Sequence, residues 1–275
     1  MQIKIKLFLV FSFMNSILFS NLLIPQYGSD LNYIHILFEW EQLEQSDSYH
    51  LQVSKDISFN DLVIDHIDNT LIHIEKNNIE WETDYYWRIR GIKDENYSTE
   101  WTTHSFFSTN SPRSNAFSII YDESQYMDGL TIFGAFFDYY SGIIDMNGNE
   151  IWNTGDNNIV FYNTNYYGKY FGCELRPELE NNIPGLEFSV NSNIIWEEPN
   201  EEFLHHDIFQ LPNGNYIGIT TTQQYGPIPI GPWTPLFMGV GFIADGFTPE
   251  FPWEGDKIVE WDKDTKEVVW EWNVF

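Results

Sequence analysis

The residues of this chain best equipped for chemistry stand together at Glu201-Glu202-Phe203-Leu204-His205-His206-Asp207-Ile208. An imidazole titrates near neutral pH, so it can attack an electrophile as a neutral base or hand over a proton as a cation. His205 and His206 are therefore the candidate catalytic residues. A shared metal ion is not expected there. Neighbours on a strand point to opposite faces, which separates the two imidazoles, and His205 with Asp207 offers fewer ligands than zinc takes. The plain alternative leaves one imidazole in solvent and the other hydrogen-bonded in the core. Arg176, in Leu175-Arg176-Pro177, is the loop cation placed to contact an anionic substrate, with a simple surface charge as its alternative. Cys173 is the single cysteine. It excludes an internal disulfide and a multi-cysteine zinc site, and reads as a small buried apolar side chain.

These residues need a scaffold, and the pattern around them is β throughout. Over 22–110, runs such as Ile36 to Trp40, Tyr49 to Ser54 and Tyr85 to Arg90 alternate apolar and polar residues, one face inward and one outward. No stretch carries helical periodicity of useful length. Ser108 to Ser114, with Pro112, reads as a linker. From 115 to 275 a hairpin ending in tryptophan recurs, at Gly142 to Trp152, Phe188 to Trp196 and Ile258 to Trp270. Trp152 and Trp196 are 44 residues apart, a period that suits one four-stranded propeller blade, with the tryptophans packed between blades. Trp196 and Trp270 are 74 apart, and the Pro- and Gly-rich stretch Gln223 to Gly255 reads as an insertion, either a lid or a surface loop. The Asn213-Gly214 turn is expected to hold positive φ at both central positions. Asp145 to Asn149 lacks the distal glutamate of a calcium loop and reads as a hairpin turn.

Residues 115–275 number 161, about three blades once the insertion is set aside, whereas propellers close with 4–8. The expected fold class is all-β: a sandwich followed by an incomplete β-propeller. The chain is accordingly expected to be the amino-terminal part of a longer protein. An open arc of three blades exposes an apolar edge and is expected to associate into a homo-oligomer or to aggregate.

At the amino terminus, Lys4 and Lys6 precede the apolar run Leu7 to Met14, then Ile17-Leu18-Phe19 and the small residue Ser20. This is the pattern of a secretory signal peptide over 1–21, too short to span a membrane. A secreted or periplasmic protein is expected, with no membrane insertion after cleavage. Removing both lysines leaves 11 basic against 41 acidic residues, a formal charge of −30.

The intact chain has 275 residues and a formal charge of −28, with Lys+Arg 13 and Asp+Glu 41. Binding nucleic acid or anionic lipid requires cations that displace counterions, so neither is an expected partner. Aromatic residues make up 18% of the chain, far too many for a disordered acidic tail.

Two resemblances follow from these motifs. Trp40, Tyr49-x-Leu51-x-Val53, Thr83 to Arg90 and Trp101 to Phe106 resemble a fibronectin type III domain over 22–110, with Tyr85 at the tyrosine-corner position. Such a domain implies a spacer or docking module. His205-His206-Asp207-Ile208 followed by Leu211-Pro212-Asn213-Gly214-Asn215-Tyr216, together with Asp256 to Asp262 and Glu267 to Trp272, resembles the PAPS-independent aryl-sulfate sulfotransferase family. That resemblance implies a six-bladed propeller with histidines facing a central channel, one of which carries the sulfuryl group from an aryl sulfate to a phenol acceptor without a cofactor. Only His205 and His206 match, as the early channel histidine. The family's covalent histidine and arginine come from later blades, so these residues are expected to lack the complete site. Two other classes stay open: a non-catalytic extracellular binding or adhesion protein, and a quinone-cofactor dehydrogenase.

Overall fold

The computed structural model describes residues 22–114, 117–119, 122, 124–125, 127, 129–176, 184–199 and 204–275, without the side chains of 204–206. The expected signal peptide, 1–21, lies outside the described residues. The chain divides into two compact units. One comprises the residues up to Ser29, Ile36–Asn78 and Asp84–Ser108; the other comprises Asp30–His35, Ile79–Thr83 and Thr109–Phe275. Both are built from antiparallel β-sheets, and the all-β class follows directly.

Leu22 to Thr109 carry β1 (Leu22–Ile24), β2 (Ser29–Leu31), β3 (Ile36–Trp40), β4 (Ser48–Ser54), β5 (Leu62–Asp68), β6 (Ile72–Glu75), β7 (Asp84–Lys93), β8 (Asn96–Tyr97) and β9 (Ser105–Thr109), of which Asp30, Leu31 and Thr109 are counted with the second unit. One sheet has the order β1-β3-β6, the other β2-β9-β7-β4-β5 with β8 paired to β7. Alternation places Ile36, Phe38 and Trp40 of β3 inward, and Tyr85, Trp87 and Ile89 of β7 likewise. Two ring contacts join the two sheets, Phe38 meeting Trp87 edge-on at 5.2 Å and Trp40 meeting Tyr49 at 5.8 Å, while within the larger sheet Tyr85 stacks on Phe107 at 5.3 Å. Outward from β7, the Arg88 guanidinium lies 4.3 Å over Trp101 and Arg90 lies 3.2 Å over Tyr97. The sheet's polar face thus carries cation–ring stacks beside a chain of polar contacts, in which Arg90 donates to His50 Nδ1 and His50 Nε2 meets Asp65.

The second unit holds β10 (Thr131–Ala135), β11 (Tyr140–Ile144) and β12 (Glu150–Asn153) in one sheet, and β13 (Ile159–Thr164), β14 (Tyr170–Glu174), β15 (Gly185–Phe188) and β16 (Ile194–Glu197) in the next. The last sheet is β17 (Leu204–Gln210), β18 (Tyr216–Gly226), β19 (Phe251–Trp261) and β20 (Val268–Asn273). Every strand pairs with its sequence neighbour, so each sheet is a simple meander. Trp152 on β12 packs against Tyr170 and Phe188 of the next sheet, at 5.5 and 6.4 Å. Trp196 on β16 repeats the contact one sheet later, stacking on Tyr216 at 3.9 Å and meeting Trp261 at 6.1 Å.

Four of the hairpin turns in the second unit share one geometry, and it differs from the two-residue turn expected at Asn213-Gly214. In Leu211 to Asn215, the Leu211 amide donates to the Asn215 carbonyl at 2.7 Å and the Gly214 amide donates to the Leu211 carbonyl at 2.9 Å. Gly214 alone has positive φ, +92°. This is a three-residue loop closed by a left-handed residue, so Asn213 keeps an ordinary right-handed backbone. Asp145 to Asn149, Asn165 to Lys169 and Ser189 to Asn193 close in the same way, with Gly148, Gly168 and Ser192 at positive φ.

The stretch 223–255 is no irregular loop. β18 and β19 run on as a two-stranded ribbon from Thr221↔Asp256 to Gly226↔Phe251, beyond the reach of β17 and β20. A short helix, α1 (Thr234–Gly239), lies in the connection. Phe237, Phe242, Phe251 and Trp253 pack together there at 4.8–5.9 Å.

Candidate functional site

The strand β17 brings the sequence-predicted residues to the edge of its sheet, since it pairs only with β18. His205 and His206 belong to β17, but their side chains lie outside the described residues. The backbone around them departs from a regular ladder: Leu204 pairs with Thr220 and Ile208 with Gly218, so four steps on β17 face two on β18. Strict alternation through 205–207 assumes an unbroken ladder, and the irregular pairing removes that assumption.

Asp207 is described. Its Oδ1 accepts a bond from Asn163 Nδ2 at 2.9 Å, and the same amide donates to the Ile208 carbonyl at 3.1 Å. Asn163 sits on β13, so the first strands of two successive sheets are tied at this point. Partial burial raises the Asp207 pKa above the usual carboxylate range, and the bonds from Ile208 and Asn163 only partly offset it. Beside it a hollow of about 160 Å³ is lined by Asp207, Phe209, Ile217, Gly218, Ile219 and Ile258. An apolar recess with one carboxylate at its rim suits an aromatic ring better than a charged group.

Arg176 is engaged elsewhere. Its guanidinium pairs with Glu197 and, through Nε at 3.2 Å, with Glu174. Burial favours its neutral form, but the two carboxylates outweigh burial and raise its pKa. A sulfate reaching Arg176 has to displace one of them. Cys173 is fully buried, and burial pushes its thiol up to about 12, which leaves it protonated and unreactive.

Two clusters went unremarked in the sequence. Glu187, 1% exposed, accepts a 2.6 Å bond from the Tyr216 hydroxyl and pairs with Lys169 at 2.9 Å. Lys169 also donates to Gln210 Oε1 at 2.9 Å, and Gln210 Nε2 donates to the Tyr216 oxygen at 3.3 Å. The network joins the β13–β14 turn, β15, β17 and β18. The second cluster is on the first unit, where His66, Asp68 and His73 place ligand atoms within 4.8 Å of one another. Its sequence signal was the pair of alternating motifs His66-x-Asp68 and His73-x-Glu75, each of which sets two donors on one face of a strand.

Among the described residues no helix is long and apolar enough to cross a membrane. No protein family and no curated protein matches this chain.

Proposed function

We propose that this chain is the front part of a secreted β-propeller enzyme that moves a sulfuryl group from an aryl sulfate to a phenol. The observation that carries the reading is the repeated meander, in which Trp152 and Trp196 each close onto the tyrosine of the next sheet while β13 and β17 are tied by Asn163. Stacked meanders of this kind are how propeller blades are built, and their first strands line the axis. The fibronectin-like unit is a spacer in this reading, and the amino-terminal leader delivers the protein outside the cytoplasm.

In the proposed reaction an imidazole nitrogen attacks sulfur, the S–O bond to the aryl group breaks, and the phenolate takes a proton from a second acid. The acceptor phenol then gives its proton to the group that protonated the leaving phenolate, its oxygen attacks the same sulfur, the N–S bond breaks, and both the imidazole and the acid are regenerated. His205 or His206 is the proton donor, and the covalent imidazole belongs to sheets that cover the third one. The Asp207 recess is the wall against which the aryl ring lies.

The test is release of nitrophenol from 4-nitrophenyl sulfate, with phenol as acceptor, by the complete gene product. Activity is expected, and one of His205→Ala and His206→Ala is expected to lower it 10²-fold or more, the scale of an acid–base contribution. A folded protein giving no release above blank overturns the reading and leaves the non-catalytic binding protein in its place. Equal, negligible effects of the two substitutions overturn the role given to the histidines.

A further inference from the structure

The first unit carries a donor set for a metal ion that is independent of the sulfuryl-transfer reading. His66 and Asp68 lie two residues apart on β5, so both face the same side, and His73 and Glu75 do the same on β6. β5 closes one edge of the larger sheet and β6 closes one edge of the smaller. The connection between them is only 69–71. Two edge strands from opposite layers therefore bring His66, Asp68 and His73 to one spot, with Glu75 beside His73.

The distances suit coordination. His66 Nε2 lies 3.5 Å from Asp68 Oδ2, and His73 Nε2 lies 3.6 Å from Glu75 Oε2. Ligands about 2.0–2.2 Å from a tetrahedral ion stand roughly 3.4 Å apart, so each pair already has about the length of one tetrahedral edge. One ligand atom each from His66, Asp68 and His73 falls within 4.8 Å of the others, and the imidazole rings are 4.5 Å apart between centroids.

Each donor is held in place by a second contact. Asp68 Oδ1 accepts bonds from the Thr70 amide and hydroxyl at 2.9 and 3.0 Å, which leaves Oδ2 to point at the site. Glu75 Oε1 accepts bonds from the amides of Lys76, Asn77 and Asn78 at 2.9, 2.7 and 3.1 Å, which leaves Oε2 toward His73. His73 rests 6.4 Å from the fully buried ring of Phe38, and its Nε2 is enclosed without a hydrogen-bond partner among the described residues. A ring nitrogen enclosed without a hydrogen bond, 3.6 Å from one anchored carboxylate and near a second, is an arrangement that a cation completes.

We infer that His66, Asp68 and His73 bind one first-row divalent cation, with Glu75 balancing its charge, and that the ion staples β5 to β6. The set contains two imidazoles and a carboxylate without a thiolate, which suits zinc and its neighbours rather than calcium or a soft monovalent ion.

Zinc chloride, titrated into the full chain after chelator treatment and in competition with a chromophoric chelator, is the probe. One ion per chain is expected at this site, with a rise in Tm on loading. His66→Ala and His73→Gln are each expected to weaken binding at least tenfold and to abolish the Tm rise, whereas His104→Ala leaves both unchanged. The His66 side chain is 43% exposed against 16% for His73, so His66→Ala decides the matter if His73→Gln does not fold, as judged by near-ultraviolet circular dichroism. Cobalt substituted for zinc is expected to show visible bands that disappear in His66→Ala. No zinc uptake, or uptake unaltered by His66→Ala, overturns the inference. Because the assay reads metal and not sulfuryl transfer, its failure leaves the proposed reaction untouched, and failure of the reaction leaves the site untouched.

Discussion

The second and third sheets of the larger unit follow one plan, yet equivalent residues end in opposite environments. Tyr170 pairs with Phe188 in the first as Tyr216 pairs with Trp261 in the second, and Glu187 pairs with Trp196 as Glu260 pairs with Trp270. Trp196 is 5% exposed because the third sheet covers it; Trp270 is 48% exposed. Glu187 is enclosed by Tyr216 and Lys169, while Glu260 instead accepts bonds from Asn213 and Asn215 of the adjacent turn at 3.2 and 2.8 Å. Burial in this unit is therefore set by the sheet that follows, and the strand's own sequence only makes burial possible. A four-stranded meander of this sort has little core of its own, and its stability comes mainly from the interface with its neighbour.

The largest consequence is an asymmetry between the two tryptophans. Trp196→Ala removes a ring packed among Phe171, Ile208, Tyr216, Val259 and Trp261, and is expected to cost about 3–5 kcal/mol in urea unfolding. Trp270→Ala removes a half-exposed ring and is expected to cost less than about 1 kcal/mol in the same chain. Equal losses would mean that Trp270 is also covered, either by further sheets of the protein or by a second copy. Repeating the pair at several protein concentrations separates those two cases, since only the second depends on concentration.

What the sequence made legible follows the same division. Hairpins and the tryptophan repeat were readable because the alternation and turn residues that specify them are local. The contacts of Trp152 and Trp196 were readable as well, because a large ring recurring at the same place in each hairpin needs a neighbouring layer. The ribbon within 223–255 was not readable, since Pro252 and the glycines are breakers in most strands. Pro252 falls where β19 pairs with β18 alone among the described residues, an edge position at which proline is tolerated better than in a central strand. The Glu187 network and the His66 cluster were hidden for another reason: Lys169, Glu187 and Tyr216 meet only once the meander has folded and stacked. At the histidine pair itself, the pattern gave a strand but not the irregular pairing between Leu204 and Ile208 that governs where its side chains point.

A smaller effect sharpens the comparison at the turns. Four loops place their fourth residue at positive φ, and three of them use glycine there; the loop between β15 and β16 uses Ser192, at +59°. A non-glycine residue pays about 1–2 kcal/mol in that region. Ser192 is also buried, with a hydroxyl that has no partner among the described residues. Ser192→Gly is expected to stabilise the protein by roughly 0.5–1 kcal/mol, after the entropy glycine gains in the unfolded chain. A loss on this substitution, read as a lower urea midpoint, would show that the serine side chain contributes packing that outweighs its backbone strain.

The smallest effect concerns two aspartates with opposite signs. Asp145, in the first sheet's turn, has its pKa lowered: partial burial pushes it up, but bonds from Asn149 and Asn147 prevail. It therefore supports folding above its unfolded pKa, and that support is lost as the pH falls through its folded value. Asp207 has its pKa raised by burial, so its sign is reversed. Its contribution is most favourable below the unfolded value of about 3.9 and is lost as the pH rises through the higher folded value. At neutral pH Asp207 is thus a net cost, reduced by its bond from Asn163 and by solvent on its open side. Asp207→Asn keeps an oxygen for Asn163 and removes the charge. Unfolding measured from pH 3 to 8 is expected to show the variant more stable than the parent at pH 7, by less than about 1 kcal/mol after solvent screening. The gap should narrow steadily toward pH 4. A gap that widens on acidification would mean that the carboxylate is held by a cation or a further donor, and the recess beside it would then be a polar site and not a wall for an aromatic ring.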